Sequence, residues 1–156
     1  MRATFHSAPF HRLSDGFYVA AQITPEDVAE AAALGVRIIV NNRPDGEDAA
    51  QPSGAEIEAA ARAAGLSYVA IPIDHSGFSH AQLDALAEAQ TAPEGGILAY
   101  CRSGTRSTHL WALTQARGGS ETIETIVESA AAAGYDLNPL RPALETLRAD
   151  GAERRS

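Results

Sequence analysis

The sequence predicts an α/β protein, a mostly parallel sheet of four to five strands with helices on both faces. Three observations carry this. Short apolar or β-branched runs at Val36 to Asn41, Leu66 to Ile73 and Ile97 to Tyr100 are too short for helices. Stretches of helical period lie between them, opening on capping residues and stopping at glycines. After Tyr100 the pattern is helical only. A length of 156 residues suits one domain, 1–156, with a core of its own. Residues 1–15 read as an irregular leader and 149–156 as a frayed polar tail.

Taken in order, Gly16 to Ala20 is the first strand. Thr24 caps a helix with Pro25 at its first position and Glu26 and Asp27 in its first turn, and Gly35 stops it. Val36 to Asn41 reads as a buried parallel strand that opens into Arg43-Pro44-Asp45-Gly46-Glu47. Pro-Asp-Gly is sufficient to make a turn by itself. A strand-end position also puts Arg43 on the same sheet edge as Cys101, to orient the loop there or to touch substrate. Ser53 and Glu56 form a capping-box pattern for a helix carrying Ile57, Ala60, Ala61 and Ala64 and ending at Gly65. The third strand runs to Ile73, with Pro72 near its end, and the loop Asp74 to Phe78 follows. Ser79 and Gln82 repeat the capping pattern ahead of Leu83, Leu86 and Ala87. Beyond Cys101 a helix over 106–117 presents Leu110, Trp111 and Leu113 as core and His109 as an ordinary packed or exposed histidine. Ile123, Ile126 and Val127 mark a helix ending at Gly134. A last helix begins at Asn138-Pro139 and carries Leu140, Leu144 and Leu147, with Pro142 tolerable only in its first turn.

The stretch Tyr100-Cys101-Arg102-Ser103-Gly104-Thr105-Arg106-Ser107 concentrates the chemistry. A strand running into a helix leaves unpaired N–H groups converging on one electropositive spot. Free cysteine titrates at about pH 8.5, and helix N-termini or nearby arginines lower that to roughly 3.5–7.5. Cys101, the one cysteine of the chain, is therefore expected as a thiolate nucleophile at the mouth of an anion cradle. Gly104 lets the backbone approach a bound group, and Arg106 offers a planar fork for two oxygens of an oxyanion. Arg102, Ser103 and Thr105 supply loop amides, and Ser107 is a candidate hydrogen-bond donor to the sulfur. An inert core cysteine has no use for such a polar sequel.

Tyr100 to Ser107, with Asn41-Asn42-Arg43-Pro44-Asp45-Gly46-Glu47 and Ile71-Pro72-Ile73-Asp74, resembles the bacterial phosphatase-like domain also found fused to beta-lactamase-like hydrolases. That domain is similar to dual-specificity, cysteine-dependent phosphatases. The resemblance covers roughly Gly16 to Gly134. It implies a cysteine-phosphatase-like fold, a nucleophile at Cys101, a phosphate-gripping Arg106 and a general acid at Asp74. A strand-end carboxyl is chemically suited to deliver that proton, and a solvated loop acid is the alternative reading; His75 and His80 are further donors in reach of the sequence argument. One departure matters. Cysteine phosphatases usually place five residues between Cys and Arg, and this chain has four, Arg102 to Thr105. The shorter loop also resembles that of rhodanese-type sulfurtransferases, which carry a persulfide, although the stretch after Arg43 lacks the rhodanese pattern. Phosphoryl transfer, sulfur transfer through a Cys101 persulfide, and a non-catalytic oxyanion- or sulfide-sensing module all remain open.

Composition narrows the classes. A hydrophobic share of 45% and a charged share of 21% are those of an ordinary globular protein. A net charge of −8 without a basic stripe argues against nucleic acid as partner. The five histidines show no spacing with carboxylates that would make a metal site, and no phosphate-binding or dinucleotide glycine motif occurs, so no cofactor is expected. No run reaches membrane-spanning length and no signal-peptide pattern opens the chain. With a reactive thiol, the expectation is a cytoplasmic protein acting on a phosphorylated or sulfur-donor substrate.

Overall fold

The computed structural model describes residues 10–91 and 95–155. Its strands are β1 (His11–Ser14), β2 (Phe17–Ala20), β3 (Val36–Asn41), β4 (Ser67–Ala70) and β5 (Gly96–Tyr100). They pair in the order β1-β2-β5-β3-β4, with β1 antiparallel to β2 and the remaining neighbours parallel. The last strand in sequence thus lies in the middle of the sheet, both of its edges paired with neighbours, which explains why Gly96 to Tyr100 is buried throughout.

The helices are α1 (Pro25–Ala33), α2 (Gly54–Ala63), α3 (His80–Gln90), α4 (Thr105–Gly118), α5 (Ile123–Ala132) and α6 (Arg141–Arg155), with a 3-10 turn at Asn138–Leu140. The strand period of two splits the sheet residues between two cores. Ile39, Leu98 and Tyr100 face α1 and α2, where Val28, Ile57 and Ala61 are wholly buried. Val40, Ile97 and Ala99 face the larger core, built from Leu86, Leu110, Trp111, Ile126, Leu137 and Leu144. Capping boxes close the N-termini of α1, α2 and α3 at Thr24, Ser53 and Ser79.

Three expectations are corrected. Of the leader over 1–15, residues 1–9 lie outside the described residues, but His11–Ser14 is a strand, with Leu13 4% exposed. Four residues are too few for a periodic signal, and the pairing with β2 comes from the turn at Asp15-Gly16, where Gly16 takes φ 74°. Of the tail over 149–156, residues 149–155 continue α6, with Gly151 buried, and Ser156 lies outside the described residues. Packing rather than propensity extends it: Leu144 is fully buried, and Arg148 donates to the carbonyl of Glu121 between α4 and α5. The third strand is also shorter than its apolar run. Beyond Ala70 pairing continues as single bonds, Ile71 N–H to Asn41 (2.9 Å) and Ile73 N–H to Asn42 (3.0 Å), around Pro72, which has no donor.

Among the described residues no helix is long and apolar enough to cross a membrane, and no group of three or more His, Cys, Asp or Glu is arranged to hold a metal ion.

Candidate active site

Because β2, β3, β4 and β5 run parallel, their carboxyl ends share one edge of the sheet, where crevices form in open α/β folds. The chain leaving β2 brings Gln22 to that edge; β3 brings Asn42, Arg43 and Glu47; β4 brings Ile73 and Asp74; β5 brings Cys101.

The loop after β5 is shaped by what its carbonyls do. The Arg102 carbonyl accepts from Gln22 N–H (3.4 Å), the Ser103 carbonyl from Tyr135 Oη (3.2 Å), and the Gly104 carbonyl from Thr108 N–H (2.9 Å) and Oγ1 (2.8 Å). Peptide planarity then turns each following N–H to the opposite side. For Gly104 the result is explicit, since its N–H donates to Cys101 Sγ at 3.1 Å. Gly104 is also the N-cap of α4, at φ 91°, a left-handed conformation that suits glycine. It provides no side-chain cap, and the first turn of α4 holds no acid. In the three boxed helices the cap side chain takes the N3 amide; in α4 the cap residue takes none, and the first amide, Thr105 N–H, donates to Ser103 Oγ at 3.4 Å.

Arg106 reaches across to two other strands. Its Nη1 and Nη2 take the two oxygens of Glu47, each at 2.8 Å, and Nη1 also donates to the Ile73 carbonyl at 2.6 Å. Of five N–H groups this leaves Nε–H and the outer hydrogen of Nη2, which lie along one edge of the guanidinium, and Cys101 is a further side-chain hydrogen-bond partner of Arg106. Glu47 raises the Arg106 pKa, and the Cys101 sulfur adds to the effect. Glu47 is in turn held by Arg43, whose Nε donates to it at 3.0 Å while its Nη1 donates to Gln22 Oε1 at 3.0 Å. The two arginines, Arg106 foremost, hold the Glu47 carboxyl below the usual carboxylate range. Two guanidinium groups against one carboxylate leave this trio with a net positive charge beside the loop, although the chain is acidic.

The candidates named from sequence fall as follows. Cys101 is 0% exposed, with its sulfur under the loop and not at its mouth. Arg102, Ser103 and Thr105 are exposed on the loop, Gly104 is buried and Arg106 is half-buried. Ser107 is buried and donates its hydroxyl hydrogen to Asn42 Oδ1 (2.7 Å), not to the sulfur; Asn42 Nδ2 donates onward to the Ile71 carbonyl (2.8 Å). Arg43 is only 5% exposed and is spent on Glu47 and Gln22, which leaves it in the role of orienting the loop and not of touching substrate. Asp74 is exposed, and Ser76 Oγ (2.5 Å) and N–H (2.9 Å) donate to its carboxylate, which lowers its pKa. Asp74, Glu47, Ile73, Phe78, Arg106 and His109 line one open cleft of about 430 Å³. His109 is thus a cleft residue; burial lowers its pKa, so it stands neutral near pH 7, with its ring 6.2 Å from that of Phe78.

Sequence reasoning assigned no role to Glu47, Asn42, Gln22 or Tyr135. For Glu47 a signal existed, a carboxylate four residues after a strand-end arginine. The others act through long-range contacts that no spacing encodes.

The family described as beta-lactamase hydrolase-like protein, phosphatase-like domain, matches residues 9–118. The chain belongs to this family. The match takes in the loop from Cys101 to Arg106, Glu47 and Asp74, and stops at the end of α4. The beta-lactamase hydrolase-like protein of Xylella fastidiosa (strain Temecula1) is 32% identical over 144 residues, 89% of this chain and 33% of the relative. This phosphatase-like domain therefore spans about a third of the length of the curated relatives it matches. Among solved structures, a candidate phosphatase of Neisseria meningitidis is 30% identical with a TM-score of 0.77, over 88% of this chain and 97% of that one. The kinase associated phosphatase, crystallised with its catalytic-site cysteine replaced by serine, superimposes with a TM-score of 0.74 at 16% identity, over 97% and 98% of the two chains. The phosphatase-like domain thus has the fold of the cysteine-dependent phosphatases.

Proposed function

We propose that the domain is a cysteine-dependent phosphatase acting on phosphate monoesters. The observation that carries this reading is the loop itself: carbonyls held outward by Gln22, Tyr135 and Thr108, the Gly104 N–H on the sulfur, and a guanidinium fixed by Glu47 beside the sulfur. In the proposed reaction Cys101 sulfur attacks phosphorus, an S–P bond forms and the P–O bond to the leaving group breaks. Loop amides and the Arg106 guanidinium stabilise the equatorial oxygens. Asp74, at the end of β4, gives its proton to the departing oxygen in the molecules where it is protonated, a fraction that the two Ser76 hydrogen bonds keep small at neutral pH. Water then attacks the phosphocysteine, releasing phosphate and restoring the thiolate.

A second reading is favoured by a specific pair of observations, the four-residue loop and the complete enclosure of Cys101. A persulfide adds one sulfur atom to the cysteine, a smaller demand than a phosphoryl group. With thiosulfate the thiolate would take the outer sulfur and release sulfite, and a second thiolate would remove that sulfur.

The test is to incubate the protein with an aryl phosphate or with thiosulfate, follow turnover, and measure the intact mass after acid quench. Phosphoryl transfer requires phosphate release, a phosphoryl mass increment, and loss of both in Cys101→Ser. Asp74→Asn should lower turnover of alkyl phosphates far more than of activated aryl phosphates, by roughly 100-fold against less than 10-fold. A stable one-sulfur increment with no phosphate release replaces the first reading by the second; oxyanion binding without either leaves a sensing module.

A further inference from the structure

We propose that Tyr135, which lies outside the loop, is a positioning residue for Cys101: its hydroxyl holds the Ser103 carbonyl outward and thereby aims the Gly104 N–H at the sulfur. The inference rests on Cys101 acting as a thiolate, the part common to phosphoryl and sulfur transfer. Ser103 C=O and Gly104 N–H belong to one peptide group, and the described residues contain no cis peptide bond. Planarity fixes the two groups antiparallel, so a bond to one end orients the other. Tyr135 Oη donates to the Ser103 carbonyl at 3.2 Å, and Gly104 N–H donates to Cys101 Sγ at 3.1 Å. The phenol therefore acts on the sulfur through a rigid plane without touching it.

Two further contacts show that the phenol is seated there and is not a passing surface side chain. A Cβ built on Gly104 would collide with Tyr135 Oη, so the glycine leaves room for the phenol. His11 of β1 presents its ring to that of Tyr135 in an edge-to-face contact, with centroids 5.9 Å apart and an interplanar angle of 84°. The phenol is half-buried in the chain between α5 and the 3-10 turn, and its pKa is raised by burial and then by the Cys101 sulfur, so it remains a donor at neutral pH. The charged or titratable groups bearing on the sulfur are Arg106 from α4, with Glu47 and Arg43 behind it, and Tyr135, with His11 beside it.

A hydrogen bond to a charged sulfur stabilises the thiolate over the thiol. The experiment is an ultraviolet titration of the thiolate in wild type and in Tyr135→Phe, each referenced to the same protein carrying Cys101→Ser. The single cysteine makes the difference signal unambiguous. Phe keeps the ring against His11 and removes only the hydroxyl, and thermal unfolding checks that the fold is retained. The expected result is a midpoint displaced to higher pH, with acid dissociation of Cys101 weakened roughly threefold to tenfold and wild-type behaviour regained at alkaline pH. His11→Ala loosens the ring without touching the loop and should displace the midpoint the same way by a smaller amount. If Tyr135→Phe is folded, a midpoint unchanged or moved to lower pH overturns the proposal. If it does not fold, an unmoved midpoint in His11→Ala does so. The readout needs no turnover, so it fails or succeeds independently of the reaction assigned to the site.

Discussion

Glu47 stands between two guanidinium groups, and both its titration and its function follow from that. Its carboxyl is held below its ordinary value of 4.5, first by Arg106 and then by Arg43. A carboxyl with a depressed folded pKa stabilises the protein above its unfolded pKa, and this contribution is lost as pH falls through the folded one. Thermal unfolding of the wild type should therefore weaken more steeply below pH 4.5 than that of Glu47→Gln. At neutral pH the same variant leaves Arg106 without its charged anchor. Turnover of an aryl phosphate should fall roughly 10- to 100-fold, since a guanidinium misplaced by about 1 Å costs that much. The measurement is kcat/KM beside a pH series of melting temperatures; equal activity in the variant would deny Glu47 its role. Sequence analysis had this residue in view, as the end of the Pro-Asp-Gly turn. What it lacked was the distance between strand ends, for Glu47 and Arg106 are separated by 59 residues in the chain.

At the scale of elements, α4 differs from its neighbours in how it begins. Thr24, Ser53 and Ser79 box their helices, and all three boxes were legible, because a capping box is a contact between residues three apart. Gly104 opens α4 in the left-handed region, with Tyr135 Oη where a side chain would stand. Gly104→Ala should lower stability by about 1–3 kcal/mol, from backbone strain together with the clash. It should lower turnover at least tenfold by tilting the peptide that faces the sulfur. Denaturant unfolding beside steady-state kinetics checks both, and a variant as active as wild type would show that the loop tolerates another geometry. The other end of the chain was less legible. His11–Ser14 is too short for a period to register, and the last turns of α6 are polar in composition, so each is fixed by the neighbour it packs on.

At the scale of the whole molecule, α4 is the helix on which both the site and the larger core depend. Leu110, Trp111 and Ala112 are fully buried, and α6 supplies the fully buried Leu144 to the same core. Leu144→Ala should cost about 2–5 kcal/mol, from lost burial and the cavity left behind. Its Cys101 titration should stay that of the wild type while the protein is folded, because the substitution lies in the core and not against the loop. Chemical denaturation measures the first expectation, and a loss below about 1 kcal/mol would mean that α6 is only loosely docked.

The sequence by itself determined the α/β alternation, the helix starts and the loop that carries Cys101 and Arg106. These depend on residues within a few positions of one another, where period and capping chemistry act. The tertiary structure alone decided that Arg43 faces Glu47, that Ser107 binds Asn42, that the sulfur is enclosed, and that Tyr135 reaches the loop. Each of these depends on which strand ends lie side by side or, for Tyr135, on where α5 packs, and strand order is set by the burial of two opposite sheet faces, a property of the assembled sheet that no local pattern contains.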